Sequence, residues 1–162
     1  YYKDIEQTNE IIKDGWLYTG DEGQIDSDGF LKITGRVKDI FKTSKGKYVA
    51  PSPIEMKLSE NNYIEQVCVV GSGIPQPIAL AVLSEVGKES PHVTESVQKT
   101  LNNINEKLQK HEVLKNIVLV KENWTVENNF LTPSMKIKRN TIDKKYQQNY
   151  SKWHDQDKIV VL

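Results

Sequence analysis

The residue types that most often carry out chemistry are few in this chain and lie far apart. Its three histidines, His92, His111 and His154, have no spacing typical of a metal site. Its one cysteine, Cys68, lies in the apolar run QVCVV without a positive residue beside it. This context predicts a buried structural thiol rather than a nucleophile, and a single cysteine excludes a disulfide within the chain.

General motifs for nucleotide or acyl chemistry are also absent from the sequence. There is no GxxxxGK phosphate loop, no strand-linked GxGxxG and no GxSxG elbow. Lysine and glycine concentrate instead in GRVKDIFKTSKGKYVAP, residues 35–51, a composition that predicts an exposed hairpin or loop. Acidic and basic residues number 22 each, so the net charge gives no argument for a nucleic-acid partner or an anionic membrane.

The first third of the chain reads as local β-structure that follows a short helix over residues 3–12. A short strand is predicted at residues 16–19, and a β-hairpin at residues 24–34 around Ser27-Asp28-Gly29, because Asp-Gly is a strong turn signal. These elements are too few to form a domain. The polar start YYKDIEQTNE is not a signal peptide, and without a start methionine we expect a fragment of a longer protein.

From residue 48 onward the predicted order of elements is β-α-β-β-α-β-α. Ser52 and Glu55 form a capping-box pattern with Pro53 at the first helical position, which predicts a helix to about residue 61. Buried strands are predicted at residues 67–70, 78–84 and 117–120. The strongest helix spans residues 90–111, with one apolar face made of Val93, Val97, Leu101, Ile104 and Leu108.

The remainder of the chain is predicted to be a loop over residues 123–139 and a last helix, capped by Asn140, to about residue 150. The apolar end at residues 159–162 has no assigned role. No stretch approaches the roughly 20 apolar residues that a membrane-spanning helix needs. The pattern predicts a small α+β domain, a three-stranded sheet packed with helices and preceded by a β-hairpin segment.

Three ordered stretches closely resemble the last signatures of the adenylate-forming superfamily, which holds acyl-CoA synthetases, luciferases and peptide-synthetase adenylation domains. They are GWLYTGD at residues 15–21, GRVKDIFKTSKGKYVAPSPIE at residues 35–55 and LTPSMKIKR at residues 131–139. The GRxKD pattern, the Lys-Gly turn before YVAP and the LTPxxKxKR ending resemble long-chain fatty acyl-CoA synthetases in particular. Met135 stands where SGK-type relatives have glycine.

The resemblance implies a nucleotide-binding role for two residues. Asp21 would accept hydrogen bonds from the ribose hydroxyls of ATP and of the acyl-adenylate, as an ionised carboxylate can. Arg36 would reach the ribose and phosphate region. Without the resemblance, Asp21 reads as part of a polar turn and Arg36 as one half of a surface salt bridge.

Three further residues take roles from the same resemblance. Lys136 would enter the active site in the first half-reaction and neutralise charge on the transferred phosphate, Lys38 would be the hinge, and Gly46 would face the pantetheine thiol of CoA. Their alternatives are two solvated lysines and a turn glycine. The basic side chains Lys42, Lys45, Lys47, Lys138 and Arg139 are open between CoA phosphate contacts and solvated faces. Glu55 is expected to cap a helix and to have no chemical role.

The implied whole protein is a long-chain fatty acid–CoA ligase that forms acyl-AMP from ATP and a fatty acid, then acyl-CoA. Residues 1–37 would be the tail end of a large N-terminal AMP-binding domain, which would hold the Mg²⁺ ligands, and residues 38–162 a small mobile domain. The isolated fragment is expected to be inactive. We expect a cytoplasmic protein, with peripheral membrane contact left open and no nucleic-acid partner.

Two other functions stay open at this point. One is an adenylation module of the fatty acyl-AMP ligase type, which loads a carrier protein. The other is a non-catalytic binding module derived from such a domain.

Overall fold

The computed structural model describes residues 1–156 and 158–162, and the chain divides into two compact units, residues 1–38 and 39–162. Unit 1 contains, in chain order, α1 Ile5–Ile11, β1 Ile12–Lys13, β2 Trp16–Leu17, β3 Asp21–Ile25 and β4 Leu31–Arg36. A 3-10 turn, Val37–Asp39, follows and contains the boundary between the units.

The hairpin predicted in unit 1 is confirmed, with longer strands than the sequence indicated. Strands β3 and β4 pair antiparallel from Asp21 opposite Arg36 to Ile25 opposite Leu31. The Asp26 carboxylate accepts the backbone N–H groups of Asp28 and Phe30 at 3.0 and 2.9 Å, which closes the turn before a left-handed Gly29 (φ 87°). The Asp26 carboxylate and the left-handed Gly29 therefore close this hairpin.

Unit 2 contains a longer series of elements. In chain order they are β5 Phe41–Lys42, β6 Tyr48–Val49, α2 Pro51–Leu58, β7 Ile64–Val70, β8 Ile78–Leu83, α3 Glu85–Glu89, α4 Val93–Asn105, β9 Ile117–Val120, α5 Arg139–Tyr146, α6 Tyr150–His154 and β10 Ile159–Val161. Strands β5 and β6 form the hairpin predicted for the basic segment.

The sheet of unit 2 has four strands in the order β10-β9-β8-β7, and both of its faces are covered. Strand β8 pairs antiparallel with β7 and parallel with β9. Strand β10 pairs parallel with the other edge of β9. Alternate residues of each strand enter one of two cores: Val69, Ala81 and Ile117 pack with α2 and α4. Their neighbours, such as Leu80 and Val118, pack with α5 and α6 on the other face. Covered faces explain why β8 and β9 read as continuous apolar runs.

The α+β class is confirmed, but the predicted count of three strands is wrong. The fourth strand is β10, at the apolar chain end to which the sequence assigned no role. It pairs in parallel with β9, Val160 opposite Val118, and Val160 is almost fully buried. A parallel partner forms only through a long crossover, so no local turn signal marks this strand.

Two helix starts also differ from the prediction. Helix α2 begins at Pro51 after Ala50, without a side-chain cap, because the fixed φ of Pro51 suits the first helical position. Ser52 therefore lies inside the helix and no capping box forms. Helix α5 begins at Arg139 after Lys138, so Asn140 does not cap it, and it ends at Tyr146 before a 3-10 turn leads into α6.

The apolar face predicted for the strongest helix is confirmed, although α4 ends at Asn105 rather than near residue 111. Val97, Leu101 and Ile104 are buried against the sheet. Helix α3, a single short turn of helix, was not predicted. Among the helices of the described residues, none is both long and apolar enough to cross a membrane.

We predict that the buried Val160 of β10 contributes measurably to stability. Val160 is 5% exposed and Val161 is 67% exposed on the same strand. Val160→Ala should lower the free energy of unfolding by about 1–3 kcal/mol, because it removes buried methyl groups. Val161→Ala is the matched control and should change it by less than about 0.5 kcal/mol. If both variants lower the free energy of unfolding equally in denaturant, Val160 does not pack in the core beside α5 and α6.

Candidate functional site

Asp21 and Arg36 form a pair at the open end of the unit 1 hairpin. They lie opposite each other in the strand register, and the Arg36 Nε lies 3.4 Å from the Asp21 Oδ1. The backbone N–H of Val37 donates to the carbonyl of Gly20 at 2.9 Å, which holds the strand ends together beside the pair. Both side chains are substantially exposed, so the ion pair is worth at most about 1 kcal/mol and can open for a ligand.

Lys38 is exposed and is the last residue of unit 1, within the 3-10 turn. Asp39, the first residue of unit 2, is partly buried. The hinge role of Lys38 is not tested by this geometry and stays a prediction.

Lys136 is exposed at the end of a tight turn that three hydrogen bonds fix. The N–H of Thr132 donates to the Lys136 carbonyl at 2.8 Å, and the N–H of Met135 donates to the Thr132 carbonyl at 2.8 Å. The Lys136 N–H donates to the Thr132 hydroxyl at 3.1 Å. The backbone of the turn is therefore hydrogen-bonded at Lys136, and the long Lys136 side chain is exposed.

Buried neighbours anchor this turn to the core of unit 2. Leu131, which forms an isolated bridge with Ile137, and Phe130 are both almost completely buried. The Phe130 ring stacks on Trp124 and on Tyr146, with centroid separations of 6.1 Å in each case. The turn is therefore an extension of the aromatic core rather than a free loop.

Gly46 lies in a second turn with the same hydrogen bonds. The N–H of Thr43 donates to the Lys47 carbonyl at 2.9 Å, the N–H of Gly46 to the Thr43 carbonyl at 2.9 Å, and the N–H of Lys47 to the Thr43 hydroxyl at 3.3 Å. Each turn thus runs from a threonine to an exposed lysine four residues later. The sequence did not reveal this equivalence, because only Thr and Lys are shared at matching positions.

The fourth residue of each turn has a left-handed backbone. Gly46 has φ 78°, which glycine adopts without steric cost, whereas Met135 has φ 61°. For a residue with a Cβ this conformation costs roughly 1–2 kcal/mol. The structure gives the physical reason why glycine suits this position in SGK-type relatives, and it locates strain directly before Lys136.

Arg139 contradicts the expectation of a solvated or CoA-binding side chain. Its guanidinium is half-buried and paired with Glu55 of α2 and, at 3.3 Å, with Asp39. It also donates to the Val69 carbonyl at 3.2 Å and lies 3.4 Å from the Cys68 sulfur. Burial opposes its charge, but the Glu55 and Asp39 carboxylates beside it raise the pKa of Arg139 above its usual value.

Glu55 was expected to cap a helix, and that prediction is wrong. One carboxylate oxygen of Glu55 accepts the backbone N–H of Val69 at 2.7 Å, and the other pairs with Arg139. The carboxylate thus joins α2 to β7 and α5. Local sequence spacing gave no signal for these contacts, because Arg139 is 84 residues away.

Cys68 is a fully buried free thiol, as predicted. Burial raises its pKa far above the usual range, and the nearby Arg139 offsets only part of this effect. The thiol therefore stays protonated and is no nucleophile. Among residues 1–156 and 158–162, no three His, Cys, Asp or Glu side chains lie close enough to hold a metal ion.

The five predicted site residues fall into separate groups. Asp21 and Arg36 touch each other in unit 1, and Lys38 ends that unit. Gly46 and Lys136 lie in two similarly built turns of unit 2. Their roles in binding and catalysis are not tested by this geometry and stay predictions. Sequence reasoning did not predict the ion pairs that Arg139 makes with Asp39 and Glu55.

Residues 38–158 match the family model of the AMP-binding enzyme C-terminal domain. The chain belongs to this family. It is 35% identical to fatty acyl-CoA synthetase B of Dictyostelium discoideum over 94% of this chain and 26% of that protein. It is also 35% identical to long-chain-fatty-acid–CoA ligase 5 of Mus musculus, over 91% of this chain and 25% of that protein. The resemblance to long-chain fatty acyl-CoA synthetases is confirmed.

Two solved structures of carboxylate-reductase adenylation domains share the fold. The A domain of carboxylic acid reductase from Segniliparus rugosus, in complex with AMP and a co-purified carboxylic acid, superposes with a TM-score of 0.77 at 25% identity, over 95% of this chain and 26% of that chain. The adenylation domain of a carboxylate reductase from Mycobacterium chelonae superposes with a TM-score of 0.78 at 23% identity, over 96% of this chain and 26% of that chain. The chain spans about a quarter of the length of the curated relatives it matches.

We predict that Met135→Gly leaves the fold intact and raises the free energy of unfolding by up to about 1 kcal/mol. The gain in backbone freedom of the unfolded chain, about 0.5–1 kcal/mol, offsets only part of the relieved strain. Met56 is the matched control, because it is similarly exposed but lies within α2.

Met56→Gly should lower the free energy of unfolding by about 1 kcal/mol, the usual cost of glycine in a helix. Denaturant unfolding of both variants measures the difference. A loss of stability in Met135→Gly equal to that in Met56→Gly would contradict the left-handed turn.

Proposed function

We propose that this chain is the C-terminal part of a long-chain fatty acid–CoA ligase and supplies the lysine of its adenylation step. The observation that carries the proposal is Lys136, which is exposed at the end of a rigid turn within LTPSMKIKR. Membership of the AMP-binding enzyme family and the fatty acyl-CoA ligases among the relatives support the choice of reaction.

In the proposed first half-reaction, a carboxylate oxygen of the fatty acid attacks the α-phosphorus of ATP. The bond from that phosphorus to the pyrophosphate oxygen breaks, which gives acyl-AMP and pyrophosphate. Negative charge grows on the phosphate oxygens in the transition state, and the Lys136 ammonium would neutralise part of it. A rigid turn suits this task, because little positional freedom then has to be lost when the ammonium docks.

In the proposed second half-reaction, the thiol sulfur of CoA attacks the acyl carbon, and AMP leaves with the bonding electrons of the acyl–oxygen bond. The thiol loses its proton as the thioester forms. Gly46 would lie along the pantetheine, where the absence of a side chain lets the backbone approach the ligand. The open space around Gly46 supports this role, since among the described residues a Cβ added at this position would meet only the end of the Lys42 side chain within 4 Å.

Asp21 and Arg36 would bind the nucleotide in both steps. The Asp21 carboxylate can accept from two neighbouring ribose hydroxyls, and the Arg36 fork can donate to ribose or phosphate oxygens. Their mutual ion pair keeps both side chains oriented without ligand. It is weak enough for a diol to compete for Asp21.

Residues 1–37 are proposed to be the tail end of a large AMP-binding domain, and residues 38–162 the small domain that rotates at Lys38. Unit 1 leaves large apolar side chains exposed, among them Trp16, Ile25 and Phe30 at 74%, 69% and 72%. Such exposure is unusual for a finished surface and supports burial against protein outside this chain. The Mg²⁺ expected with ATP is proposed to bind to ligands in that larger domain.

Transfer of the acyl group to a carrier protein is the second candidate. It is favoured by the fold match to carboxylic acid reductase, including an A-PCP didomain structure with a TM-score of 0.75 at 25% identity. CoA is preferred because relatives at 35% identity are CoA ligases. Offering CoA and a carrier protein in parallel to the purified ligase that carries this chain separates the two candidates. A cytoplasmic location and peripheral membrane contact stay predictions, which cell fractionation would check.

Lys136→Ala in the ligase that carries this chain should reduce fatty-acid-dependent ATP–pyrophosphate exchange by about 10²–10³-fold, the usual effect of removing one transition-state contact. Thioester formation from supplied acyl-AMP should remain near the wild-type rate, because Lys136 acts before it. Lys99→Ala, an exposed lysine of α4, is the control and should change neither rate. Exchange at the wild-type rate in Lys136→Ala would refute the catalytic role.

Asp21→Asn should raise the KM for ATP by about 10–100-fold, because a hydrogen bond to a charged group is worth about 1.5–3 kcal/mol. Asp28→Asn changes a carboxylate in the same hairpin at its exposed turn and should leave the KM for ATP unaltered. Steady-state kinetics at varied ATP measures both. If the two variants have the same KM, Asp21 does not bind the nucleotide.

A further inference from the structure

Arg139 makes contacts with three separate segments of unit 2. Its Nε lies 3.3 Å from the Asp39 carboxylate, one Nη pairs with Glu55, and the other donates to the Val69 carbonyl at 3.2 Å. The Arg139 side chain is 21% exposed, and those of Asp39 and Glu55 are 30% and 15% exposed. A planar guanidinium with five donors in a fixed fork can hold such an arrangement, which a lysine cannot.

Arg139 is also tied closely to the turn of Lys136. It follows Lys136 by three residues and begins α5. Between them, Ile137 bridges to Leu131, and the N–H of Lys138 donates to the Phe130 carbonyl at 2.8 Å. A displacement of Arg139 would therefore shift the backbone from which Lys136 extends.

The other end of this network lies next to the proposed hinge. Asp39 directly follows Lys38 and is the first residue of unit 2. Glu55 has a second anchor in the Val69 N–H, so the Glu55 contact holds α2 and β7 together within the core. The Asp39 contact extends the network to the first residue of unit 2, directly after Lys38.

We propose that Arg139 and Asp39 are positioning residues: their ion pair keeps unit 2 rigid up to the residue beside Lys38, so that rotation at Lys38 places Lys136 accurately. The proposal rests on the function proposed above. Without this ion pair, the backbone at residues 39 and 40 becomes a second flexible point in addition to Lys38. The position of Lys136 in the active site is then less tightly fixed. A misplacement of about 1 Å at a reacting group can cost about 10²-fold in rate.

The test uses the ligase that carries this chain, with Asp39→Asn, Asp39→Glu and Arg139→Lys. Asp39→Asn removes the charge and leaves the Glu55–Arg139 pair intact. We expect the kcat of adenylation to fall at least about tenfold while the KM values for ATP and fatty acid stay unchanged. Asp39→Glu should recover most of the rate. Arg139→Lys should lower the kcat at least as far as Asp39→Asn, because lysine lacks the fork and the Glu55 and Val69 contacts are disturbed as well.

The Tm of Asp39→Asn and the kcat of a control variant distinguish a positioning role of Asp39 from a purely structural one. The Asp39 contact is partly exposed, so Asp39→Asn should lower Tm by no more than about 4 °C. Glu85→Gln breaks an exposed ion pair with Lys88 in the same unit and should leave kcat unchanged. A kcat of Asp39→Asn within about twofold of wild type, or one that falls only with the amount of folded protein, would overturn the positioning role.

The wild-type rate distinguishes this inference from the proposed function. If wild-type protein shows no fatty-acid-dependent exchange, the proposed function fails, and the positioning role falls with it. If wild-type protein is active and Asp39→Asn equals it, only the positioning role falls.

Discussion

The role proposed for Lys136 requires an exposed side chain on a fixed backbone, and the Lys136 turn of unit 2 has both features. A lysine side chain is long and strongly hydrated, so it cannot be held by burial of its own atoms. The protein instead fixes the backbone on both sides of it. Phe130 and Leu131 are buried in the aromatic core, Thr132 closes the turn, and Arg139 is held by two carboxylates.

The sheet supplies the foundation for that arrangement. With helices α2 and α4 on one face and α5 and α6 on the other, every strand residue of β9 is buried. The aromatic side chains that carry the Lys136 turn pack on the second face, together with Val160 of β10. The last strand of the chain thus helps to support a turn more than twenty residues earlier.

Elements with a local cause were predictable from the sequence. The apolar stripe of α4 lies at helical spacing, the polar turn between Asp26 and Phe30 closes the hairpin, and the predicted bounds of β9 are those observed. Features whose cause is distant were not predictable. Strand β10 needs a parallel partner about forty residues away. The Glu55 carboxylate pairs with the distant Arg139 rather than with the start of its own helix.

The candidate site divides in the same way. The positions of Asp21, Arg36, Lys38, Gly46 and Lys136 came from resemblance, and the structure adds what their spacing could not give. The strain at Met135 and the shared construction of the two lysine turns follow from backbone angles and hydrogen bonds. The exposed apolar side chains of unit 1 likewise became evident only in three dimensions.

The most direct test of the proposed reaction is the identity of the products of ATP cleavage. Purified ligase that carries this chain would be incubated with a long-chain fatty acid, ATP and CoA, and the nucleotides and thioesters would be separated by chromatography. We predict AMP, pyrophosphate and acyl-CoA in equal amounts. Formation of acyl-CoA with ADP and phosphate, or release of AMP that does not depend on the fatty acid, would contradict the proposed reaction.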